Sequence, residues 1–241
     1  DYGDTGRENN KNKDFFFFEK QDVRSVMGAL IYLVKTKLPE YIGTSPFEIQ
    51  VLTPMRKGEL GVEHLNEVLQ YYLNPASESK KEKEGRTGVF REGDKVMQVK
   101  NNYKLEWKIT NAKGFSVEEG LGVFNGDMGV IKQINTYSER ITVVFDENRE
   151  VEYPYSNLDE LELAYAITIH KSQGSEYPAV VLPLLSGPPI LCNRNLLYTA
   201  ITRAQKCAAI VGRQSMVEQM IHNETEQKRY SGLNECLKDG I

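Results

Sequence analysis

Segment 166–176, with the sequence AITIHKSQGSE, concentrates side chains that could bind phosphate groups. A strand predicted over 161–169 delivers them into a loop at its carboxyl end, where ligands bind in open α/β sheets. Lysine supplies a point charge for phosphate, hydroxyl groups suit phosphate oxygens, and glycine permits close backbone approach. An ordinary solvated loop between two strands is the alternative that composition leaves open.

A second candidate is Arg203, near the end of a helix predicted over 195–204. Leu197, Ile201 and Ala204 repeat at helical spacing and indicate a buried stripe. The guanidinium could complement the helix dipole or remain a surface charge. If it faced a neighbouring domain, its planar fork could instead stabilise charge that develops on a transferring phosphoryl group.

Several motifs with well-defined chemistry are absent from the sequence. It has no Gly-Lys dipeptide, and therefore no GxxxxGK[ST] phosphate loop, and it has no GxGxxG fingerprint. HExxH and GxSxG are absent as well. We therefore expect that the chain does not bind a nucleoside triphosphate through a phosphate loop of its own, and that it carries no familiar hydrolytic triad.

Composition excludes several protein classes. The chain has 241 residues and a net charge of −4, with 40% hydrophobic and 27% charged residues. Its one sustained apolar run, 179–185, is interrupted by Pro183 and is too short to span a bilayer. The three cysteines form no CxxC pair, so neither a disulfide framework nor a metal site is predicted. These features favour a soluble, cytoplasmic protein over a membrane protein, a secreted mini-protein or a globally basic nucleic-acid binder.

Charge is distributed unevenly along the sequence. Segment 165–214 contains five basic residues and one acidic residue, a local charge of +4, so the remainder carries −8. Such a segment could hold a polyanion while the net charge keeps the protein in solution. It could equally be poor in acidic residues because it is buried.

The elements that must position these residues follow from periodicity and turn residues. Helices are predicted over 22–38, with Pro39 after its end, and over 62–73, 195–204 and 215–227. Strands are predicted over 14–19, 48–54, 94–100, 129–134, 141–145, 150–153, 161–169, 179–185 and 207–211. Segment 77–88 reads as an exposed linker. Strands that alternate with helices predict an α/β fold with a parallel sheet, and the short strands from 129 to 153 predict a small β-barrel-like insertion.

Two longer segments, AYAITIHKSQGSE and LLYTAITRA, resemble in this order motifs V and VI of superfamily-1 helicases. The resemblance is to the RecD/TraA family, the exodeoxyribonuclease V alpha-subunit-like ATP-dependent DNA helicases. Three further segments also resemble that family, namely VLTPMRKGELGVEHLN, FREGDKVMQVKNNY and VFNGDMGVI. The likeness covers roughly 15–233.

The resemblance implies a domain organisation. A second RecA-like domain with helices on both faces of its sheet would occupy 15–127 and 160–233. An SH3-like insertion would occupy 128–159, and 234–241 would form a tail. The polar start 1–14 would be a disordered or severed connection to a preceding domain that carries Walker A, Walker B and motif III.

The resemblance also implies roles for single residues. Arg203 would be the catalytic arginine finger that reaches the γ-phosphate of ATP bound on another domain. The residues implied to lie near the nucleotide are Gln173, Gly174, Glu176 and Arg56, of which Arg56 could face DNA instead. Those implied to face single-stranded DNA are Thr53, Asn125, Thr168, His170 and Lys171.

The function implied by the resemblance is that of a 5′-to-3′ DNA helicase of which this chain supplies one half of the motor. Its cofactor would be ATP with Mg²⁺, with the Mg²⁺ ligands on the preceding domain. Its partners would be single-stranded DNA, the N-terminal motor domain and proteins of repair or recombination.

Two alternative functions and the role of one stretch remain open at this level. A conjugative relaxase-helicase shares these motifs. A non-catalytic module could use the barrel to bind a protein. The hairpin-like stretch 105–121, with the sole Trp107, could separate DNA strands, contact a partner or be a tolerated loop extension.

Overall fold

A computed structural model describes residues 14–86, 88–111 and 115–224. The predicted connection 1–14, apart from Asp14, lies outside the described residues, and so do the tail 234–241 and the last part of the helix predicted over 215–227. The described chain forms a parallel sheet, an antiparallel sheet and a two-stranded hairpin.

Five parallel strands form the first sheet, which confirms the predicted α/β class. Their spatial order is β1 (Phe15–Glu19), β14 (Ala204–Gly212), β13 (Tyr177–Leu184), β2 (Ile49–Thr53) and β12 (Ala166–Thr168). β1 lies at one edge, and Phe15 is 45% exposed there. This exposure follows from its place on the edge strand, which is covered by a neighbouring strand on one side only.

Helices cover both faces of this sheet, as predicted. Alternating side chains of β13 enter two different cores, since Ala179 and Val181 belong to one hydrophobic cluster and Val180 and Leu182 to the other. The helices of the first cluster are α1 (Val23–Tyr32), α2 (Leu38–Ile42) and α3 (Val62–Leu73). Those of the second are α4 (Arg194–Ile201) and α5 (Gln214–His222).

The first helical run continues past the proline at which it is predicted to end. Asp22 caps α1 by accepting a hydrogen bond from the Ser25 backbone N–H. A π-helical segment over Leu33–Lys37 connects α1 to α2, and Pro39 lies in the first turn of α2. Proline is tolerated there because the first turn needs no N–H donor. The run ends at Gly43, whose φ of 68° favours glycine.

Seven antiparallel strands form the second sheet. In spatial order they are β11 (Leu161–Leu163), β5 (Lys95–Gln98), β8 (Met128–Asn135), β9 (Arg140–Phe145), β10 (Glu150–Pro154), β6 (Asn102–Thr110) and β7 (Ser116–Val123). The sheet therefore extends on both sides beyond the predicted insertion 128–159. Its buried residues, such as Ile131 and Val143, belong to the same cluster as Val51 of β2, so the two sheets share one core.

The strand predicted over 161–169 is two strands in two sheets. β11 pairs with β5 in the antiparallel sheet, and β12 pairs with β2 in the parallel sheet. Hydropathy could not reveal the break, because Leu163, Ala164, Tyr165 and Ala166 are all buried.

The segment predicted as the linker 77–88 contains a strand. β3 (Glu82–Glu84) pairs with β4 (Val89–Arg91) in a small hairpin. Phe90 is buried beneath it, and the Arg91 guanidinium donates to Glu82 and to the Asn74 carbonyl oxygen. One buried aromatic ring and one arginine thus anchor a charged segment that composition alone classes as solvated.

The described residues of stretch 105–121 lie in two paired antiparallel strands, in agreement with the predicted hairpin. β6 and β7 pair along their length, and β7 is the edge strand of the sheet. Trp107 faces Gly120 so closely that a Cβ atom at position 120 would lie 2.3 Å from the ring. The hairpin is thus built around the tryptophan and belongs to the antiparallel sheet.

The chain crosses from one sheet to the other at Ala164 and Tyr165. Asn66 of α3 holds both ends of this crossing: its Nδ2 donates to the carbonyl oxygens of Leu163 (3.0 Å) and Ala166 (2.9 Å), and its Oδ1 accepts from the Ala166 N–H (2.8 Å). Gln50 donates to the carbonyl oxygens of Ala164 and Tyr165 at 3.1 and 3.2 Å. The crossing is therefore bonded to α3 and β2 together.

Asp94 connects the same crossing to the end of α3 and to β4. Its carboxylate accepts from the Tyr165 hydroxyl (2.9 Å), from the side-chain amides of Gln70 and Asn74, and from the Arg91 N–H. Burial raises the pKa of Asp94, although these four hydrogen bonds oppose the rise. A fully satisfied buried network of this kind fixes the geometry of the elements it joins.

None of the described helices combines the length and apolar character needed to cross a bilayer.

Substituting Asn66 with alanine is expected to lower the free energy of unfolding by about 2–4 kcal/mol, because three buried backbone groups lose their partner. Urea denaturation of the protein measures this change. The matched control is Glu67→Ala, an exposed neighbour on the same helix, which should change stability by less than about 0.5 kcal/mol. Equal effects of the two substitutions would show that Asn66 does not secure the crossing.

Candidate functional site

The candidate residues lie at the two opposite ends of the parallel strands. The side of the sheet where the strands end is called here the carboxyl edge, and the side where they begin the amino edge. Thr168 ends β12 and is paired with Thr53 at the end of β2, so both mark the carboxyl edge. Tyr177 begins β13 and is paired with Ala204 at the start of β14, so both mark the amino edge. The edges are six residue steps apart, or about 20 Å. Segment 169–176 runs from one to the other.

This path corrects the expectation that one loop at a carboxyl end presents every residue from 168 to 176. A parallel strand must begin at the edge opposite to the one where its neighbour ends. Thr168, His170 and Lys171 therefore lie near the carboxyl edge, while Ser175 and Glu176 lie directly before β13 at the amino edge.

Thr53 is fully buried, and its hydroxyl donates to the Leu60 carbonyl oxygen at 2.7 Å. The Met55 N–H points back to the same hydroxyl at 3.4 Å. In this structure the Thr53 side chain therefore holds the loop that follows β2 and has no free face for a ligand. That loop carries Arg56.

Thr168 caps a short 3-10 helix, Ile169–Ser172, by accepting from the Lys171 N–H at 3.3 Å. The Ser172 hydroxyl, which is fully buried, donates to the Ile169 carbonyl oxygen and tightens the same turn. His170 is exposed on it. The turn thus fixes the backbone from which His170 and Lys171 project.

Glu162 of β11 joins two of the candidate cations. Its Oε1 accepts from Arg56 Nη2 at 2.6 Å, and its Oε2 accepts from Lys171 Nζ at 2.9 Å. Burial alone would raise the pKa of the Glu162 carboxyl, but the hydrogen bonds from Lys171 and Arg56 outweigh it and hold this pKa below its usual value. Arg56 also approaches Glu63 at 3.4 Å. Arg56, Glu162 and Lys171 are hereafter the cation bridge.

Arg56 therefore belongs with Lys171. In the described part of the chain its side-chain hydrogen bonds and ion pairs are with Glu63 and Glu162, and none connects it to Arg203, Gln173 or Glu176. Of the two sides that the sequence leaves open for Arg56, the structure places it on the same side as the residues predicted to face DNA.

Arg203 lies at the amino edge, directly before β14. Its guanidinium donates from Nη1 to the Ser175 carbonyl oxygen (3.1 Å), from Nε to the Thr199 carbonyl oxygen (3.3 Å) and from Nη2 to the Thr202 hydroxyl (3.4 Å). The Tyr177 N–H in turn donates to the Arg203 carbonyl oxygen at 2.8 Å. Segment 175–177 and Arg203 are thus held together.

The partners of Arg203 are all neutral. Within the ranges that the structure describes, no ion pair includes its guanidinium, whereas Arg56 and Lys171 share a carboxylate. A positioned guanidinium with an uncompensated charge suits an incoming anion such as a phosphate group. Arg203 is therefore a fixed guanidinium whose charge could receive a phosphate oxygen.

The other predicted residues are exposed. Gln173 and Gly174 lie on the surface between the two edges, and Gly174 has a φ of 89°, which favours glycine. Glu176 accepts from Gln205 Nε2 at 3.4 Å at the amino edge. Asn125 lies in the turn before β8, where its N–H donates to the Asn101 side chain. It thus lies in a turn of the antiparallel sheet, and the next residues, Gly126 and Asp127, border the same cavity as Ser175 and Glu176 of the amino edge.

Sequence reasoning missed Glu162. It lies in an apolar context, LELAYA, and nothing in that spacing indicates a carboxylate that reaches two cations across a sheet boundary. Its place in a group of acidic residues directly before the positively charged segment 165–214 was the available signal.

The described residues contain no cluster of carboxylate, histidine or cysteine side chains that could bind a metal ion. The Arg203 guanidinium at the amino edge is a donor without an acceptor atom, so it suits a phosphate oxygen and not a metal ion.

Two family models match the chain. Residues 65–145 match the ATP-dependent RecD-like DNA helicase SH3 domain, and residues 163–211 match the UvrD-like helicase C-terminal domain. The first match runs from α3 to the end of β9, and the second from the end of β11 into β14. The second match therefore contains both edges of the candidate site.

Curated relatives are similar over the same region. The ATP-dependent RecD2 DNA helicase of Deinococcus radiodurans is 40% identical over 160 residues, which is 66% of this chain and 19% of that protein. The RecBCD enzyme subunit RecD of Mycolicibacterium smegmatis is 30% identical over 191 residues, which is 79% of this chain and 29% of that protein. The chain thus spans less than a third of either relative.

Solved structures of Pif1 helicases are distantly similar. The crystal structure of Pif1 helicase from Bacteroides in complex with ADP-AlF3 and ssDNA has a TM-score of 0.44 and 15% identity, over 89% of this chain and 53% of that one. The structure of Bacteroides Pif1 bound to ssDNA has a TM-score of 0.43 and 14% identity, over 92% of this chain and 54% of that one.

Replacing Lys171 with methionine is expected to raise the pKa of Glu162, since burial then acts against one fewer hydrogen bond. A pH titration of the carboxyl ¹³C shift measures it. Because the folded-state pKa is depressed, the bridge contributes stability above the unfolded-state pKa of about 4.3 and loses it as pH falls through the lower folded value. Lys132→Met, which removes a cation paired with Glu150, should leave Glu162 unchanged. An unaltered Glu162 pKa in Lys171→Met would contradict the bridge.

Proposed function

Since the chain contains a C-terminal region of the RecD-like helicase type, we propose that it is the second motor domain of an ATP-dependent DNA helicase that moves 5′-to-3′ along single-stranded DNA. In this proposal the chain supplies half of a nucleotide site and part of a DNA track. The preceding domain of the intact protein supplies the phosphate loop and the Mg²⁺ ligands.

The observation that carries the proposal is the division of the candidate residues between two edges of one sheet. Arg203 at the amino edge is positioned by Ser175 and Thr199 and keeps an uncompensated charge. In the proposed role it is the arginine finger that stabilises charge on the γ-phosphate, with Gln173, Gly174 and Glu176 nearby. ATP bound on the preceding domain would draw that domain against this edge.

The opposite edge carries the proposed DNA contacts. Thr168 fixes the turn, His170 is exposed on it, and Lys171 is 29% exposed. A lysine and backbone groups of a turn contact phosphates without reading bases, so binding would be independent of sequence and sensitive to salt. Thr53 takes part by holding the loop that carries Arg56, and Asn125 would contact DNA from the antiparallel sheet.

Segment 169–176 connects the two proposed sites. One of its ends is fixed at Thr168, and the other is bonded to Arg203 through Ser175 and Tyr177. A movement of Arg203 towards a nucleotide would therefore act on the segment that carries Lys171. Through this connection, closure around ATP could change the affinity for DNA.

The proposal extends to partners and location. Relatives named as RecBCD subunits suggest that the intact protein could act in a complex of repair or recombination proteins, and a conjugative relaxase-helicase is the nearest alternative. A cytoplasmic location stays a prediction. The sequence upstream of this chain in its gene would distinguish a RecBCD-type subunit from a relaxase-helicase.

In the intact protein, replacing Arg203 with alanine is expected to lower DNA-stimulated ATP turnover by about 10³–10⁵-fold, because a transition-state charge loses its partner. The measurement is phosphate release with single-stranded DNA in excess. The affinity for ATP should change far less than turnover, since most phosphate contacts lie on the preceding domain.

Arg213→Ala is the matched control, because it removes an exposed arginine of the same segment that donates to the Gln21 carbonyl oxygen. It should keep near-normal turnover. The 241-residue chain alone should release phosphate at the buffer rate. Phosphate release by the chain alone that Arg203→Ala abolishes would contradict the half-site.

In the intact protein, replacing Lys171 with alanine is expected to weaken binding to a single-stranded oligonucleotide about tenfold, as one charge-assisted phosphate contact is lost. The slope of log K against log salt concentration should also fall by about 0.7. Fluorescence anisotropy over a salt series measures both. Lys35→Ala removes the same charge from an exposed residue of the first helical run and should change neither quantity. An unchanged slope in Lys171→Ala would refute the DNA contact.

A further inference from the structure

The cation bridge is more specific in its geometry than an ion pair that only stabilises the fold needs to be. Arg56 lies in the loop after β2, Lys171 in the turn after β12, and Glu162 on β11 of the other sheet. Each carboxylate oxygen is bonded to one cation only. The two cations thus converge on one small anion that presents two oxygens.

A backbone phosphate presents the same pattern. Its two non-bridging oxygens share one negative charge and can accept from two separate donors, as the two oxygens of a carboxylate do. Arginine and lysine are also the side chains that proteins most often direct at phosphates. The position that Glu162 occupies is therefore chemically suited to a phosphodiester group.

The carboxylate is also accessible enough to be exchanged. The Glu162 side chain is 20% exposed, Lys171 is 29% exposed and Arg56 is 48% exposed, so solvent and a ligand can reach all three. The backbone of Glu162 is held independently, because β11 pairs with β5 on both sides of it. Its side chain can therefore leave the cations without loss of the strand.

We propose that Arg56 and Lys171 together form a seat for one backbone phosphate of single-stranded DNA, and that the Glu162 carboxylate occupies this seat when DNA is absent. The inference rests on the proposed function and deepens it, since it names Glu162 as the residue that competes with DNA. Binding of a phosphate displaces the carboxylate into solvent, and release of the phosphate restores the bridge.

Two consequences follow from this competition. Glu162 lowers the affinity for DNA, because each binding event must break two charged hydrogen bonds. It also keeps the two cations in place between binding events, so that the seat is preformed. A helicase motor must release DNA in every cycle. A carboxylate that returns to the two cations favours this release.

The test is Glu162→Gln in the intact protein, with anisotropy of a fluorescent oligothymidine as the readout. Glutamine has nearly the same shape but no charge, so the competition weakens and affinity should rise about fivefold. Glu152→Gln is the matched control. It makes the same change of net charge on the same sheet, where Glu152 pairs with Arg140 at the surface, and it should change affinity less than twofold.

A second pair of variants makes the result specific. Glu162→Asp keeps the charge but withdraws the carboxylate from the cations, so it should also raise affinity, and it serves if the glutamine variant does not fold. In a Lys171→Met background the gain from Glu162→Gln should shrink, because half of the seat is gone.

The outcomes separate this inference from the proposed function. If Lys171→Ala weakens DNA binding while Glu162→Gln and Glu162→Asp leave it unchanged or weaken it, Glu162 is only a structural tie and the inference is overturned. An equal gain in Glu152→Gln overturns it as well, since net charge alone then explains the effect. If neither Lys171→Ala nor Arg56→Ala alters DNA binding, the proposed DNA site itself fails.

Discussion

The crossing of the chain at Ala164 and Tyr165 is the constraint on which the other features depend. Asn66 and Gln50 bond its backbone to α3 and β2, and the Tyr165 hydroxyl bonds to the buried Asp94. Since these polar groups are buried, leaving any of them without a partner is costly. The crossing therefore has one geometry, and that geometry places Glu162 and Lys171, on either side of it, within hydrogen-bonding distance.

Local charge compensation explains how a mildly acidic protein could present the proposed phosphate sites. Where two cations face each other, Glu162 neutralises part of their charge, and where one cation stands alone, neutral carbonyl oxygens hold it. The net charge of −4 then says little about binding, because the relevant quantity is the uncompensated charge at each sheet edge. The charge of Arg203 is not neutralised, whereas the charges of Arg56 and Lys171 are partly neutralised by Glu162.

The sequence identified the segments that carry chemistry but not how they are joined. The motif residues from Thr168 to Glu176 and Arg203 could be found because their types and order are distinctive. The break between β11 and β12 could not, since hydropathy is continuous across it. Glu162 was missed for a related reason: its partners are distant in sequence or on another sheet, and only the register of both sheets brings them together. The charged strand β3 was hidden because the residues that anchor its hairpin, Phe90 and Arg91, lie outside the predicted linker.

In the proposed motor, opposite edges of one sheet serve the nucleotide and the DNA. A structure of the intact protein with a transition-state analogue of ATP and an oligothymidine tests it most directly. We expect the Arg203 guanidinium to lie within hydrogen-bonding distance of the γ-phosphate analogue and Lys171 Nζ to contact a DNA phosphate about 20 Å away. A complex in which both ligands lie at the same edge, or in which Arg203 remains on the Ser175 carbonyl oxygen far from the nucleotide, would contradict it.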